Sequence, residues 1–201
     1  MKPLFPMLGL VASLALTACT TAPGPVEVTR FVAPESAARL GQGAIFVETA
    51  KGMDGESLAL APYKSAVAAE LRRLGYTETG RTSAGQVATV SLERYVIGAQ
   101  GRRSPVSVGV GGSTGTYGSG VGIGLGINLG GGPREQLGTE LGVRISDIAT
   151  GASLWEGRAD FRVAENSDLA RAPANAQTVA SALFREFPGN DGETIEVEVS
   201  E

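Results

Sequence analysis

Two runs of strict alternation joined by a five-residue turn constrain this chain more than any other feature. Leu141, Val143 and Ile145 alternate with Glu140, Arg144 and Ser146, and Trp155, Gly157, Ala159, Phe161 and Val163 alternate with Glu156, Arg158, Asp160 and Arg162. Successive side chains on a strand point to opposite faces, so each run has one apolar and one charged face. Between them, Asp147-Ile148-Ala149-Thr150-Gly151 has the composition of a hairpin turn, with Gly151 free to take a positive φ. The runs are therefore expected to be antiparallel neighbours in a sheet with one face to hide.

Two segments have the period of helices that could hide it. From Leu60 to Leu74, Tyr63, Val67, Leu71 and Leu74 fall on one stripe, Pro62 suits the first turn, and Gly75 stands where a helix-ending glycine belongs. Lys64, Arg72 and Arg73 lie mostly off that stripe and read as a solvated face. From Ala174 to Phe187 the stripe is Ala176, Val179, Ala180, Leu183, Phe184 and Phe187, with Pro188-Gly189 as the stop. Val26 to Val32, Ala44 to Val47 and Gln86 to Gly98 read as strands, and Tyr76 begins a return to the sheet. In the longest of these, Ala88, Val90 and Leu92 share one parity and Tyr95 and Ile97 the other, which predicts a bulge near Glu93 or Arg94. Ile195 to Val199 alternates with glutamates as an edge strand would. The expected fold class is α+β: an antiparallel β-sheet with two amphipathic helices on one face and a long Gly-rich β-hairpin.

That hairpin is expected over 105–132. Twelve of the twenty-four residues from Gly109 to Gly132 are glycine, a density that suits a flexible spacer. The order of residues argues for a strand pair instead. Gly118, Gly120, Gly122, Gly124 and Gly126 alternate with Ser119, Val121, Ile123, Leu125 and Ile127, and Val106, Val108 and Val110 alternate with Ser107, Gly109 and Gly111. One side of such a hairpin is apolar and the other nearly bare. It could pack under the helices, dock an envelope protein or a second copy, or enter a bilayer, since the nine residues from Val121 to Leu129 approach the length of a transmembrane strand. Val121, Ile123, Leu125 and Ile127, with Arg102 and Arg103 just before the hairpin, form the candidate interaction surface. The glycines are not a phosphate loop, because no Gly-x-x-x-x-Gly-Lys-Ser/Thr occurs.

The chain opens on Lys2, an apolar run from Leu4 to Leu16 broken by Pro6 and Gly9, and then Leu16-Thr17-Ala18-Cys19. Thirteen residues are too few to span a bilayer, and the layout is that of a secretory signal. Leu-Thr-Ala-Cys resembles the lipobox of bacterial lipoproteins, which implies cleavage before Cys19, lipidation of that residue and a membrane anchor. Thr20, where Asp would mark inner-membrane retention, implies the periplasmic face of an outer membrane. The expected organisation is a signal peptide over 1–18, a lipidated tether over 19–25 and a single domain over 26–201.

Composition narrows the function further. The cleaved chain carries sixteen basic and twenty-one acidic residues, a net charge of −5, which disfavours nucleic acid as a partner. With no His and a single Cys committed to the anchor, the usual zinc ligands and the usual general base are missing, so no metal or other cofactor is expected. Ser113, Thr114, Thr116 and Ser119 have no base near them in sequence. Arg102-Arg103 reads as a solvated turn or as a contact for an anionic partner.

Ser146-Asp147-Ile148-Ala149-Thr150-Gly151-Ala152-Ser153-Leu154-Trp155-Glu156-Gly157 resembles the Asp-x-x-Thr-Gly-x-x-x-Trp-x-Gly hairpin of lipoproteins grouped as domain of unknown function 4136. Leu71-Arg72-Arg73-Leu74-Gly75-Tyr76 and Leu183-Phe184-Arg185-Glu186-Phe187-Pro188 are similar to the helix ends of that family. The resemblance implies an envelope lipoprotein and brings no catalytic residue. Asp147 and Trp155 are expected to be structural, as a turn-bonding carboxylate and a core indole. A carboxylate-only hydrolase is the rival class, with Glu93, Asp147 and Asp160 as the available strand carboxylates.

Overall fold

The computed structural model describes residues 23–98, 103–105 and 135–199. The expected signal peptide, Cys19, Arg102 and the Gly-rich stretch beyond Pro105, with Val121, Ile123, Leu125 and Ile127, lie outside the described residues. Along the chain the elements are β1 (Val26–Val32), β2 (Gly43–Thr49), α1 (Ala61–Arg73), β3 (Tyr76–Glu78), β4 (Gln86–Ile97), β5 (Arg103–Pro105), β6 (Gln136–Asp147), β7 (Ser153–Ala164), α2 (Ala172–Leu183) and β8 (Glu193–Val197). The strands form one sheet in the order β3-β2-β4-β6-β7-β1-β8, with β5 added to β4.

The sheet is mixed, which corrects the antiparallel expectation. β2 pairs in parallel with both β3 and β4, whereas β4–β6, β6–β7, β7–β1, β1–β8 and β4–β5 are antiparallel. The cause is the connection: β2 reaches β3 through α1, and a helical crossover returns the chain in the direction it left.

The hairpin of β6 and β7 forms as expected. Gly151 takes φ +72°, its N–H donates to the Asp147 carbonyl at 2.8 Å, and the Asp147 N–H donates to the Ala152 carbonyl at 2.9 Å. The expected bulge at Glu93 or Arg94 is absent: β4 pairs with β6 without a break from Gln86↔Asp147 to Ile97↔Gln136. Tyr95 has not changed phase. It lies on the opposite face, buried because its ring covers Gly138, its direct partner on β6. The register shift in this region lies instead at Ile145/Ser146, beside the hairpin turn.

One face of the sheet carries the core. Val26, Val28, Ala88, Val90, Leu141, Val143, Ile145, Trp155, Ala159 and Phe161 meet Tyr63, Val67 and Leu71 of α1 and Ala176, Val179, Ala180 and Leu183 of α2. Gly75 follows α1 at φ +109°, as a helix-ending glycine should. α2 starts two residues before the expected position, with Pro173 in its first turn, and ends at Leu183 instead of Phe187. The early end frees Phe187 to turn back onto Trp155, with Glu186 at φ 57° and a cis Phe187–Pro188 bond in the segment that follows. The indole stacks on Phe184 at 5.4 Å and meets Phe187 at 5.2 Å, and its Nε1–H donates to the Pro188 carbonyl at 2.9 Å.

Gly157 sits under that indole, so a methyl group there collides with the Trp155 ring and with Leu183, all buried. Gly142 faces the other side, where an added methyl meets first the Ser91 hydroxyl, which can rotate away. Gly157→Ala is therefore expected to cost about 1–3 kcal/mol of overpacking, and Gly142→Ala clearly less, in denaturant unfolding followed by Trp155 fluorescence. Equal losses would contradict this placement of the two glycines.

Asp147 closes the turn. Its carboxylate accepts from the Thr150 N–H at 2.9 Å, the Thr150 hydroxyl at 3.0 Å and Arg39 Nη1 at 3.0 Å. The Thr150 backbone and hydroxyl groups, with Arg39 adding its charge, hold the carboxyl below the usual Asp range. A depressed folded-state pKa stabilises above the unfolded-state value, and the contribution is lost as pH falls through the folded-state value. Asp147→Ala is thus expected to lower Tm at neutral pH, and the gap from the parent protein should close below the normal carboxylate range. A gap that persists unchanged in acid would show that ionisation of Asp147 contributes nothing.

Candidate functional site

The two helices cover one face of the sheet, and the other carries the polar side chains in rows set by the strand register. Ser91, Gly142, Arg158, Thr29 and Thr194 are direct neighbours across β4, β6, β7, β1 and β8. Ser91, Gly142, Arg158 and Thr29 of this row line the floor of a shallow depression of about 760 Å³. Gly142 leaves the floor open beside Ser91, whose hydroxyl donates to the Gly142 carbonyl at 3.4 Å.

On one side of the floor run Glu48, Thr89, Arg144, Glu156 and Phe31. Arg144 pairs with Glu156 at 2.9 Å, and Arg81 pairs with Glu48 while its guanidinium stands 6.0 Å over the Phe46 ring. Phe31, 56% exposed, is an apolar ring at this rim. Lys51 also lines the depression.

On the other side Glu93, Glu140, Asp160, Glu27 and Glu196 follow one another across five strands. Adjacent strands are about 4.8 Å apart, so these like charges are held close together, an arrangement that destabilises a sheet unless cations intervene. Two do: Arg158 meets Glu140 at 2.9 Å, and Arg162 meets Asp160 at 3.1 Å. The Tyr95 hydroxyl donates to Asp160 at 2.9 Å, and Tyr95 together with Asp160 raises the pKa of Arg162. Exposed pairs of this kind contribute little to stability, so the rows matter more as a patterned surface than as fasteners.

The sequence-derived candidates are distributed as follows. Glu93 and Asp160 share one row with Glu140 between them, whereas Asp147 lies at the far end of β6, engaged by its own turn. The three do not converge. Trp155 is a core residue, 1% exposed. Arg103 opens β5 opposite Ile97. The floor residues Ser91, Gly142, Thr29 and Arg158 were not singled out from sequence, although outward parity on four adjacent strands is the signal that groups them.

Arg30 was also missed. It occupies an inward position of β1, fully buried, and donates from Nη1 to Glu193 at 2.9 Å and from Nη2 to the Arg185 carbonyl. Contacts from Asn190 and then from Arg30 hold Glu193 below the usual carboxylate range. The alternation Val26, Val28, Arg30, Val32 placed it inside from the start.

No family model matches the chain, and no curated protein matches it. Among solved structures, a PelC dodecamer from Paraburkholderia phytofirmans aligns at 12% identity and a TM-score of 0.44, covering 79% of this chain and 94% of that one. A PDZ domain protein from Parabacteroides distasonis aligns at 12% identity and a TM-score of 0.49, covering 87% of this chain and 39% of that one. Likeness at this level assigns neither a family nor an activity.

Proposed function

We propose that this protein is an outer-membrane lipoprotein, anchored through Cys19 on the periplasmic face, and that it is a non-enzymatic envelope module whose open sheet face meets a partner. The lipobox carries this reading: an apolar run too short to span, followed by Leu16-Thr17-Ala18-Cys19. The geometry is compatible with it. Only seven residue steps separate Cys19 from Val26, a reach of at most about 25 Å, so the domain stays close to whatever holds the cysteine. The open face offers paired charges, hydroxyls and an exposed ring, which suit recognition, and its central carboxylates are matched with arginines. An envelope protein and a second copy of this chain are both candidate partners. Cys19→Ala is expected to move the protein from the membrane fraction to the soluble periplasmic fraction. A variant that stays wholly with membranes would remove lipid anchoring from the account.

A second reading, an assembly component that inserts the Gly-rich segment into the bilayer, is favoured by one observation. Val26, at the start of β1, lies level with Phe161, Thr139 and Arg94, so the anchor enters at the end of the sheet where β4 stops at Ile97 and β6 begins at Gln136. The described residues that flank the Gly-rich stretch, Pro105 and Glu135, stand near that same end, beside Tyr95 and Glu165. On this reading Ile123→Asp leaves Tm unchanged and abolishes membrane insertion of the lipidated protein. A fall in Tm, as expected for a charge buried without a partner, would place Ile123 in the core and end this reading.

A further inference from the structure

Of the five carboxylates that cross the open face, the arginines answer two. Arg158 pairs with Glu140 and Arg162 with Asp160, which leaves Glu93 at one end of the row and Glu27 and Glu196 at the other. Glu27 on β1 and Glu196 on β8 are directly opposite one another and both exposed, and among the described residues neither forms an ion pair. Arg162 turns to Tyr95 and Asp160 and interacts with Glu27 more weakly. Opposite residues on paired strands have Cβ atoms about 5 Å apart, where like charges destabilise a sheet. A cation supplied from outside would stabilise this corner. Two residues along each strand on the same face, Thr29 and Thr194 share a hydroxyl contact at 3.0 Å, and beyond Thr29 stands Phe31, 56% exposed. Strands rise about 3.3 Å per residue, so the ring and the carboxylates are about 13 Å apart across that floor.

We infer that this corner of the open face, Phe31, Thr29, Thr194, Glu27 and Glu196, docks a positively charged segment of a partner protein, which sets an arginine between the two glutamates and an apolar side chain on Phe31. The inference rests on the reading of the open face as a docking surface and names the chemistry of its partner. Charge decides the occupant. A planar guanidinium carries donors on several edges and can reach both carboxylates, which a compact ammonium meets less well. A second copy is a poor fit, because the chain has a net charge of −4 and Arg81, Arg144, Arg158 and Arg162 on this face are already engaged in ion pairs. An anionic headgroup or polymer would be repelled by the same carboxylates. A single exposed phenylalanine is ordinary on a protein surface, but one held at a fixed distance from surplus charge gives a partner both an apolar anchor and a register.

The test uses the full-length chain, Cys19 included, in its native cells, with the photo-cross-linking residue p-benzoylphenylalanine in place of Phe31, of Arg144 elsewhere on the open face, or of Gln177 on α2 as a control. Irradiation is expected to join position 31, and not position 177, to a partner whose cross-linked peptide carries arginine or lysine beside the point of attachment. Glu27→Lys with Glu196→Lys should abolish that adduct, and Glu56→Lys, exposed on the loop before α1, should leave it. Glu196→Gln alone, which removes one of two opposed charges, should weaken the adduct while keeping or raising Tm, so that a lost contact is told from a lost fold. An adduct indifferent to the double reversal, or formed with a second copy, a lipid or a segment without cations, overturns the inference. An adduct at 144 alone overturns it while leaving the open face a docking surface, and no adduct at either position ends both readings.

Discussion

Covering a single face of the sheet is the constraint on which the rest depends, and Trp155 is where it is met most tightly. Its indole is the contact through which β7, the end of α2 and the segment after α2 hold one another, by ring packing on Phe184 and Phe187 and a hydrogen bond to Pro188. A large ring needs a hollow, and Gly157, two residues along on the same face, supplies it. The segment that wraps the indole also brings Gly189 against Arg30 and Glu193, so the buried guanidinium finds its partners only because the chain turns there. Arg30 then fixes β8, since its counter-charge stands at the first residue of that strand. A buried charge left unpaired is far more costly than the pair is beneficial, so the ion pair acts mainly to specify the position of β8.

Much of this was legible because period two is a strong signal. The alternations on β6 and β7 gave their faces correctly, and the glycines at 75 and 151 marked a helix end and a turn. The parallel pairing of β2 was not legible, because the sequence records a strand, a helix and a strand without saying which edges meet. Tyr95 misled for a physical reason. An apolar residue at outward parity was read as a change of phase, but the hydrophobic cost of an outward ring can also be met by a glycine on the next strand, and Gly138 does this. Phe187 misled in a similar way: it fits the helical stripe of α2 but reaches the same core from beyond the end of the helix.

The buried polar groups escaped the sequence reading too. Tyr63 donates to Asn175 at 2.8 Å, joining α1 to α2, and Asn175 donates in turn to the Leu169 carbonyl at 2.9 Å. Asn175 reads as a neutral helix residue until a tyrosine more than a hundred positions away is known to face it. Burial raises the pKa of Tyr63, which keeps the hydroxyl protonated as the donor this contact requires. Such bonds contribute modestly in net terms, but they exclude rival arrangements of the helices, because a shift would bury both groups without partners.

The open face of the sheet is polarised along its strands. At the end of the sheet where β1 begins stand the five-carboxylate row and the Tyr95–Gly138–Arg162 neighbours, while Arg144, Arg81 and Phe31 lie toward the other end. On the proposed anchoring through Cys19, the short linker joins the acidic end, and the exposed Phe31 with the paired charges of Arg81–Glu48 and Arg144–Glu156 stands at the far end.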